Sequence, residues 1–457
     1  MVDWTPHSRL VRAASNYHVV SDLETGRTND SFLFSGGAIS RGYFEGRVAM
    51  EAIIERCCGL DVHKDVVVAC VLKGPAEGRV RKEIRSYGTT TAQLEELRNW
   101  LSEAGCTDVG MESTGVYWVP VYAVLEEHFN LIVGNASHMK NVPGRKTDVK
   151  DAQWIAELIR CGLVRKSFVP PKWQRGLRDL TRYRRKLVEA QASERNRLQR
   201  LLETCNVKLG SVASDVFGKS GREMLRALIQ GEAGPEQMAQ LAKGQLRKKL
   251  AELALALQGK VEAHHRFMLK MQLGRVEEIE ANIAVIDARI DEAVAPYREV
   301  VDRLKTIPGV DRVSAITIIA ELGVDMSIFP TVAHAAAWAG VCPGNNESAG
   351  KRMGQQKRRG NVHICSALVQ AAMAASKTKN TYFKSRFWKI AGRAGKKRAA
   401  VAVAHSILKA VYQMLKAGVK YKDLGGDYLD RFLNRSAEKR LVQRLRSMGY
   451  EVRPKTA

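Results

Sequence analysis

Between Arg56 and Arg160 the hydrophobic period of the chain keeps switching, and the order of the switches leaves few folds open. "CCGLDVHKDVVVACVL" reads as two strands rich in Val and Cys, joined by a short turn at His63-Lys64. "RVRKEIRSYG" alternates like a third strand. "TTAQLEELRNWLSEAG" opens on threonine caps and then carries apolar residues at helical spacing. "DVGMEST" predicts a short strand, "YWVPVYAVLEEH" a helix interrupted by Pro120, and "NLIVGNA" another strand. A last helix, headed by Asp148 and Asp151, closes near Arg160. Three meandering strands followed by helix, strand, helix, strand, helix predict a mixed sheet with helices on its faces.

That order is the order of the ribonuclease H fold, and it gives four carboxylates a place to meet. Asp61 lies mid-strand in "GLDVHKD", where a charge is costly unless it is paired or binds a metal. Glu112 ends the strand "VGMES", and Asp148 and Asp151 share one face at a helix start. Singly, Asp148 is a good helix cap and Glu112 a surface charge at a strand end. Together, with the first strand central and the last helix across it, they make an oxygen-rich cluster suited to Mg²⁺. Two such ions about 4 Å apart would activate a nucleophile and steady the leaving oxygen in phosphodiester cleavage.

Charge names the partner class. With 73 Lys and Arg against 48 Asp and Glu, the formal net charge is +25. A surplus of that size points to nucleic acid, and more weakly to an anionic membrane surface. No apolar run reaches the ~20 residues of a bilayer span, and the first residues lack a signal-peptide core. The eight cysteines form no CxxC pair, which fits reduced, packed thiols in a cytoplasmic protein.

Outside the first domain, taken as 56–170, the chain divides into four parts. Residues 1–55 are polar and aperiodic and read as a disordered extension; a translation start at Met50 would remove most of it. Residues 171–304 form long amphipathic helices, either an antiparallel hairpin turning near Gly231–Pro235 or an intermolecular coiled coil. Residues 305–435 form a mostly α-helical domain, and 436–457 a basic helical tail. "TIPGVDRVSAITIIAEL" resembles a helix-hairpin-helix whose backbone N–H groups, around Gly309, meet a phosphate. From Lys351 to Arg398 there are fourteen Lys or Arg and no acid. Lys351, Arg352, Lys357, Arg358, Arg359, Lys396, Lys397 and Arg398 are the candidate phosphate contacts. Tyr382, Phe383, Phe387 and Trp388 are interleaved as stacking platforms. Ser348 sits just before the run. By composition it is a loop serine, or a nucleophile whose basic neighbours hold a phosphate beside it.

At these residues the sequence resembles the DEDD transposases of the insertion-sequence-110 type, recombinases guided by a bridge RNA. "GLDVHKD", "MESTGVYW", "KTDVKDAQWIAELI", "IPGV", "AAWAGVCPGNNESAGK" and "AVAHSILKAVY" resemble that family's blocks in order, from about Cys57 to the C-terminus. The resemblance implies a RuvC-like domain in which Asp61, Glu112, Asp148 and Asp151 bind Mg²⁺. It implies that Ser348 joins covalently to a DNA end, and that the protein works on element ends and target DNA. The partners it implies are a guide RNA and further copies of the chain, as a dimer or tetramer. The rival readings are a hydrolytic junction-type nuclease using only the tetrad, and a binding protein without catalysis. "KRMGQQKRRG" is less typical of the family than its flanks, and the first fifty residues have no counterpart in it.

Overall fold

The computed structural model describes residues 52–136, 139, 151–343, 347–348, 351–352 and 360–452. The N-terminal extension up to residue 51, Asp148, Lys357, Arg358 and Arg359 lie outside them. Two compact units divide the chain, 1–166 and 167–457.

In the first unit, β1 (Arg56–Val62), β2 (Val66–Lys73) and β3 (Arg81–Gly88) form the expected meander. α1 (Thr91–Glu103), β4 (Asp108–Glu112), α2 (Trp118–Leu125), β5 (Asn130–Gly134) and α3 (Asp151–Arg160) follow. The sheet order is β3-β2-β1-β4-β5, with β1 antiparallel to β2 and parallel to β4. It is therefore a mixed five-stranded sheet, and β1 is central because both of its edges are paired. Pro120 does not interrupt α2. It falls in the first turn, where its missing N–H has no intrahelical partner to lose.

Two glycines place α3. Gly59 on β1 and Gly110 on β4 face each other in register. A Cβ on Gly59 would lie 2.3 Å from the Ala152 carbonyl oxygen and the Ala156 nitrogen, and one on Gly110 would lie 2.4 Å from Ile159 Cγ1. The helix backbone thus rests directly on the strand, and Ala152, Ile155, Ala156 and Ile159 bury the rest of the contact. At the far end of α3 the buried Arg160 donates to the carbonyls of Glu55, Gly74 and Pro75, tying the helix to the sheet edge.

In the second unit, α4 (Lys172–Thr204) and α9 (Ala263–Val294) pack along each other. Arg184 pairs with Asp287, and Glu280 accepts from Gln191, Arg195 and Arg222. The expected turn near Gly231–Pro235 is instead part of a small helical bundle. Gly231 ends α6 (Lys219–Gln230) in the left-handed conformation, and Pro235 opens α7 (Pro235–Ala239); α5 (Leu209–Val212) and α8 (Leu250–Ala256) complete it. The bundle has its own core, built on Leu202, Leu209, Met224, Leu225 and Leu253 and joined by Leu198 of α4 and Val276 of α9.

The other ends of α4 and α9 enter a second core. There Leu177, Ile290 and Val294 meet α10 (Arg298–Leu304), α11 (Arg312–Leu322) and α12 (Val332–Trp338). α13 (Val362–Ala375), α14 (Tyr382–Ala394) and α15 (Lys396–Ala417) close it, and α16 (Tyr428–Ser447) follows. Between α12 and α13 lie two short antiparallel strands, β6 (Glu347–Ser348) and β7 (Lys351–Arg352). No described helix is long and apolar enough to cross a membrane.

Candidate active site

The sheet register brings two of the expected carboxylates to one edge. Leu60 pairs with Met111 across the parallel β1–β4 ladder, so the next residues, Asp61, one short of the end of β1, and Glu112, the last of β4, lie on neighbouring strands side by side. Asp61 is partly buried and its Oδ2 lies 3.1 Å from His63 Nε2. Glu112 accepts from the Thr114 hydroxyl. Asp151 is exposed at the first described turn of α3, one residue before the Ala152 that rests on Gly59. Three of the four acids therefore occupy the C-terminal end of the two central strands and the start of the helix laid across them.

Carboxylates without amide or thiol competitors suit a hard cation that keeps several waters. Asp61, Glu112 and Asp151 are not drawn to within 4.8 Å of one another. Among the described residues only Glu262, His264 and His265, at the start of α9, form so tight a group. There His265 Nδ1 already accepts the Glu262 N–H at 3.2 Å, closing a helix-capping box.

In the second unit Ser348 lies on β6, directly opposite Lys351 on β7, and Glu347 opposite Arg352. The two-strand pairing sets the serine position opposite a cationic residue type. Gly309 has φ +86°, and a Cβ there would lie 2.2 Å from the Ala371 carbonyl oxygen and 2.5 Å from the Ala375 nitrogen. Close packing on α13 accounts for this glycine, and the carboxylate of Asp311 caps α11 through the Ser314 N–H at 2.8 Å.

The basic stretch divides sharply by helix face. Phe383 and Phe387, one turn apart on α14, are buried in the core and so cannot be stacking platforms. Trp388 is 50% exposed, and Lys396 Nζ lies 5.7 Å from its ring centre. Lys396, Lys397 and Arg398 are exposed at the first turn of α15, as are Lys377, Lys379 and Arg393 nearby in sequence.

One buried carboxylate has no role in the sequence motif that contains it. Glu321, near the end of α11, has a side chain that is 0% exposed. Arg182 of α4 holds it bidentately, Nε to Oε1 at 2.7 Å and Nη2 to Oε2 at 2.8 Å, and Asn361 Nδ2 donates to Oε2 at 2.7 Å. Burial pushes its pKa up, but the bonds from Arg182 and Asn361 and the charges of Arg182 and Arg178 outweigh it, leaving it below the usual value of 4.5. The sequence does carry a sign of it, as the lone charge in the apolar stretch "AITIIAEL".

Sheet, acidic edge and basic helices together fit an insertion-sequence transposase, an enzyme that moves DNA, and the comparisons agree. Residues 58–207 match the DEDD transposase family of the IS110 type, and residues 301–387 match the IS116/IS110/IS902 transposase family. The chain is also similar to the transposase for insertion sequence element IS1111A of Coxiella burnetii (strain RSA 493 / Nine Mile phase I). The two are 26% identical over 376 residues, 80% of this chain and 90% of that protein. The chain belongs to the IS110-type transposase family.

Proposed function

We propose that the chain cuts and rejoins DNA through a covalent phosphoserine, using a ribonuclease H-like, RuvC-type acidic site together with Ser348. The observation that carries this reading is the Leu60–Met111 register, which sets Asp61 and Glu112 at adjacent strand ends under the helix that begins at Asp151. With Asp148 as the fourth ligand, these carboxylates would hold Mg²⁺. When bound, the metal supplies Lewis-acid stabilisation of charge on the phosphate oxygens.

The protein's own groups do the remaining work. Ser348 Oγ forms a bond to phosphorus as the bond to the deoxyribose oxygen breaks. The serine proton passes to solvent or a nearby base, and the departing DNA oxygen is protonated. Attack by a DNA hydroxyl on the phosphoserine reverses the exchange, so the strand is rejoined without ATP. Lys351, Arg352 and the basic segment after them would hold the scissile phosphate beside the serine. Lys396, Lys397 and Arg398 would neutralise backbone phosphates further along. A guide RNA paired to donor and target DNA would supply sequence specificity. An assembly of two or four copies would bring acidic sites and serines to both strands. The protein would act in the cytoplasm; none of its eight cysteines is joined in a disulfide, in keeping with that compartment.

Denaturing gels on element-end DNA test the reading. Ser348→Ala should abolish the covalent protein–DNA adduct, and Asp61→Asn or Asp151→Ala should abolish metal-dependent strand cleavage. Cleavage by Ser348→Ala at the wild-type rate, with no adduct in either protein, would establish the hydrolytic nuclease instead.

A further inference from the structure

We propose that Glu321 is a positioning residue for the Ser348 hairpin: clamped by Arg182, its carboxylate fixes Asn361 and thereby the base of the segment that carries β6 and β7. The proposal rests on the reading of Ser348 as the nucleophile. Its own ground is the geometry at the two ends of that segment.

Ahead of β6 the chain is still in the core at Ala339 and Val341, and behind β7 it is back against Trp338 and Gly340 by Gly360, so the two ends meet. The Asn361 N–H donates to the Trp338 carbonyl at 2.9 Å. A Cβ on Gly360 would lie 2.3 Å from the Gly340 nitrogen and 2.6 Å from the Trp338 carbonyl oxygen, so only glycine permits the approach. Asn361 then serves two elements at once. Its Oδ1 caps α13, accepting from the N–H groups of His363 at 2.9 Å and Ile364 at 3.3 Å. With the oxygen so used, its amide nitrogen can only donate, and it donates to Glu321. Arg178 extends the clamp, with its Nε 3.5 Å from Glu321 Oε2 and its guanidinium carbon 5.8 Å from the centre of the Trp338 ring.

A carboxylate at this place is not explained by stability. It sits near a helix C-terminus, where the dipole opposes a negative charge, and it is wholly removed from water. A hydrophobic side chain of similar volume would fill such a site at least as well, but it would fix no direction. What the ion pair supplies is orientation. Three elements distant in sequence, α4, α11 and the cap of α13, are held in one hydrogen-bonded geometry at the base of the hairpin segment. Nucleophilic attack depends on such placement, and an error of about 1 Å can cost about 100-fold in rate.

The test uses the full chain, element-end DNA and Mg²⁺. Asn361→Ser retains a capping oxygen for α13 but loses the donor to Glu321. It should slow adduct formation by about 10- to 100-fold while DNA affinity stays within about twofold. Glu321→Gln combined with Asn361→Asp exchanges donor and acceptor across the same pair of side chains, and should recover at least about tenfold of the rate relative to Asn361→Asp alone. A wild-type adduct rate in Asn361→Ser would overturn the proposal. So would losses of adduct and DNA affinity in equal proportion, or a folded exchange variant that recovers nothing. Ser348→Ala run alongside separates the two readings. An adduct that persists in it removes the serine assignment, whereas its disappearance beside an unaffected Asn361→Ser removes only the role of Glu321.

Discussion

Gly59 shows how much of the site depends on one missing side chain. The β1 backbone and the α3 backbone touch there, and that close approach sets Asp151 at the same sheet edge as Asp61. Gly59→Ala should lower stability by about 1–3 kcal/mol in denaturant titration, because its Cβ would press on backbone rather than on a yielding side chain. It should also reduce cleavage more than DNA binding, since α3 must lift away from the acidic edge. Glu321 gives the second single-residue prediction. Its folded pKa is depressed, so its contribution to stability is complete above the ordinary value of 4.5 and is lost as the pH falls through the folded value. The unfolding midpoint of the wild type should therefore drop more steeply in acid than that of Glu321→Gln. Equal acid limbs would mean that the carboxylate is not held ionised. The rule that singles out Asp61 in the sequence, a lone charge among apolar residues, applies equally to Glu321. What the sequence hides is its partner, because Arg182 lies 139 residues away and nothing local joins them.

Whole elements divide along the same line between local and distant causes. The strands and helices of the first unit are legible because each announces itself by its own hydrophobic period, and the parallel pairing of β4 on the free side of the meander puts β1 in the middle of the sheet. Register follows from the paired glycines, whose meaning appears only once α3 is seen to need a flat place. Two of the four aromatic residues of α14 are misread from sequence for a related reason. Phe383 and Phe387 are four apart and so share the core face, whereas Trp388 turns outward. Phe387→Ala should cost about 3–5 kcal/mol by thermal or chemical unfolding, a cavity effect. Trp388→Ala should leave most of the stability intact and weaken binding to single-stranded DNA by about 1–3 kcal/mol if a base stacks there. Likewise, the glycine and proline near residue 231 look like the turn of a long hairpin, yet they punctuate a bundle with its own core. Turn residues mark a chain reversal, but they do not say how many helices lie on either side of it.

At the scale of the whole molecule the acid-free basic stretch from Lys351 to Arg398 lies far along the chain from the acidic sheet edge, so holding DNA and cutting it can be tested separately. The net charge of +25 is dominated by cations such as Lys396, Lys397 and Arg398, which are exposed and among the described residues have no acid near them in sequence. The carboxylates that would take a metal belong to the first unit, on the sheet edge. Affinity should then come from counterion release, and chemistry from the metal-dependent edge together with the serine. Chelating divalent cations should abolish cleavage while leaving DNA binding within a few-fold of its value at matched ionic strength. Replacing Lys396, Lys397 and Arg398 together by alanine should do the reverse. The slope of log affinity against log salt should flatten by about 0.9 for each phosphate no longer neutralised, and single-turnover cleavage of DNA bound at saturation should persist. Gel-shift titrations from about 50 to 200 mM salt, run beside cleavage assays on the same complexes, measure both. An unchanged slope would show that these three cations do not meet the backbone. Loss of binding on chelation would show instead that the acidic edge itself grips the DNA through its metal.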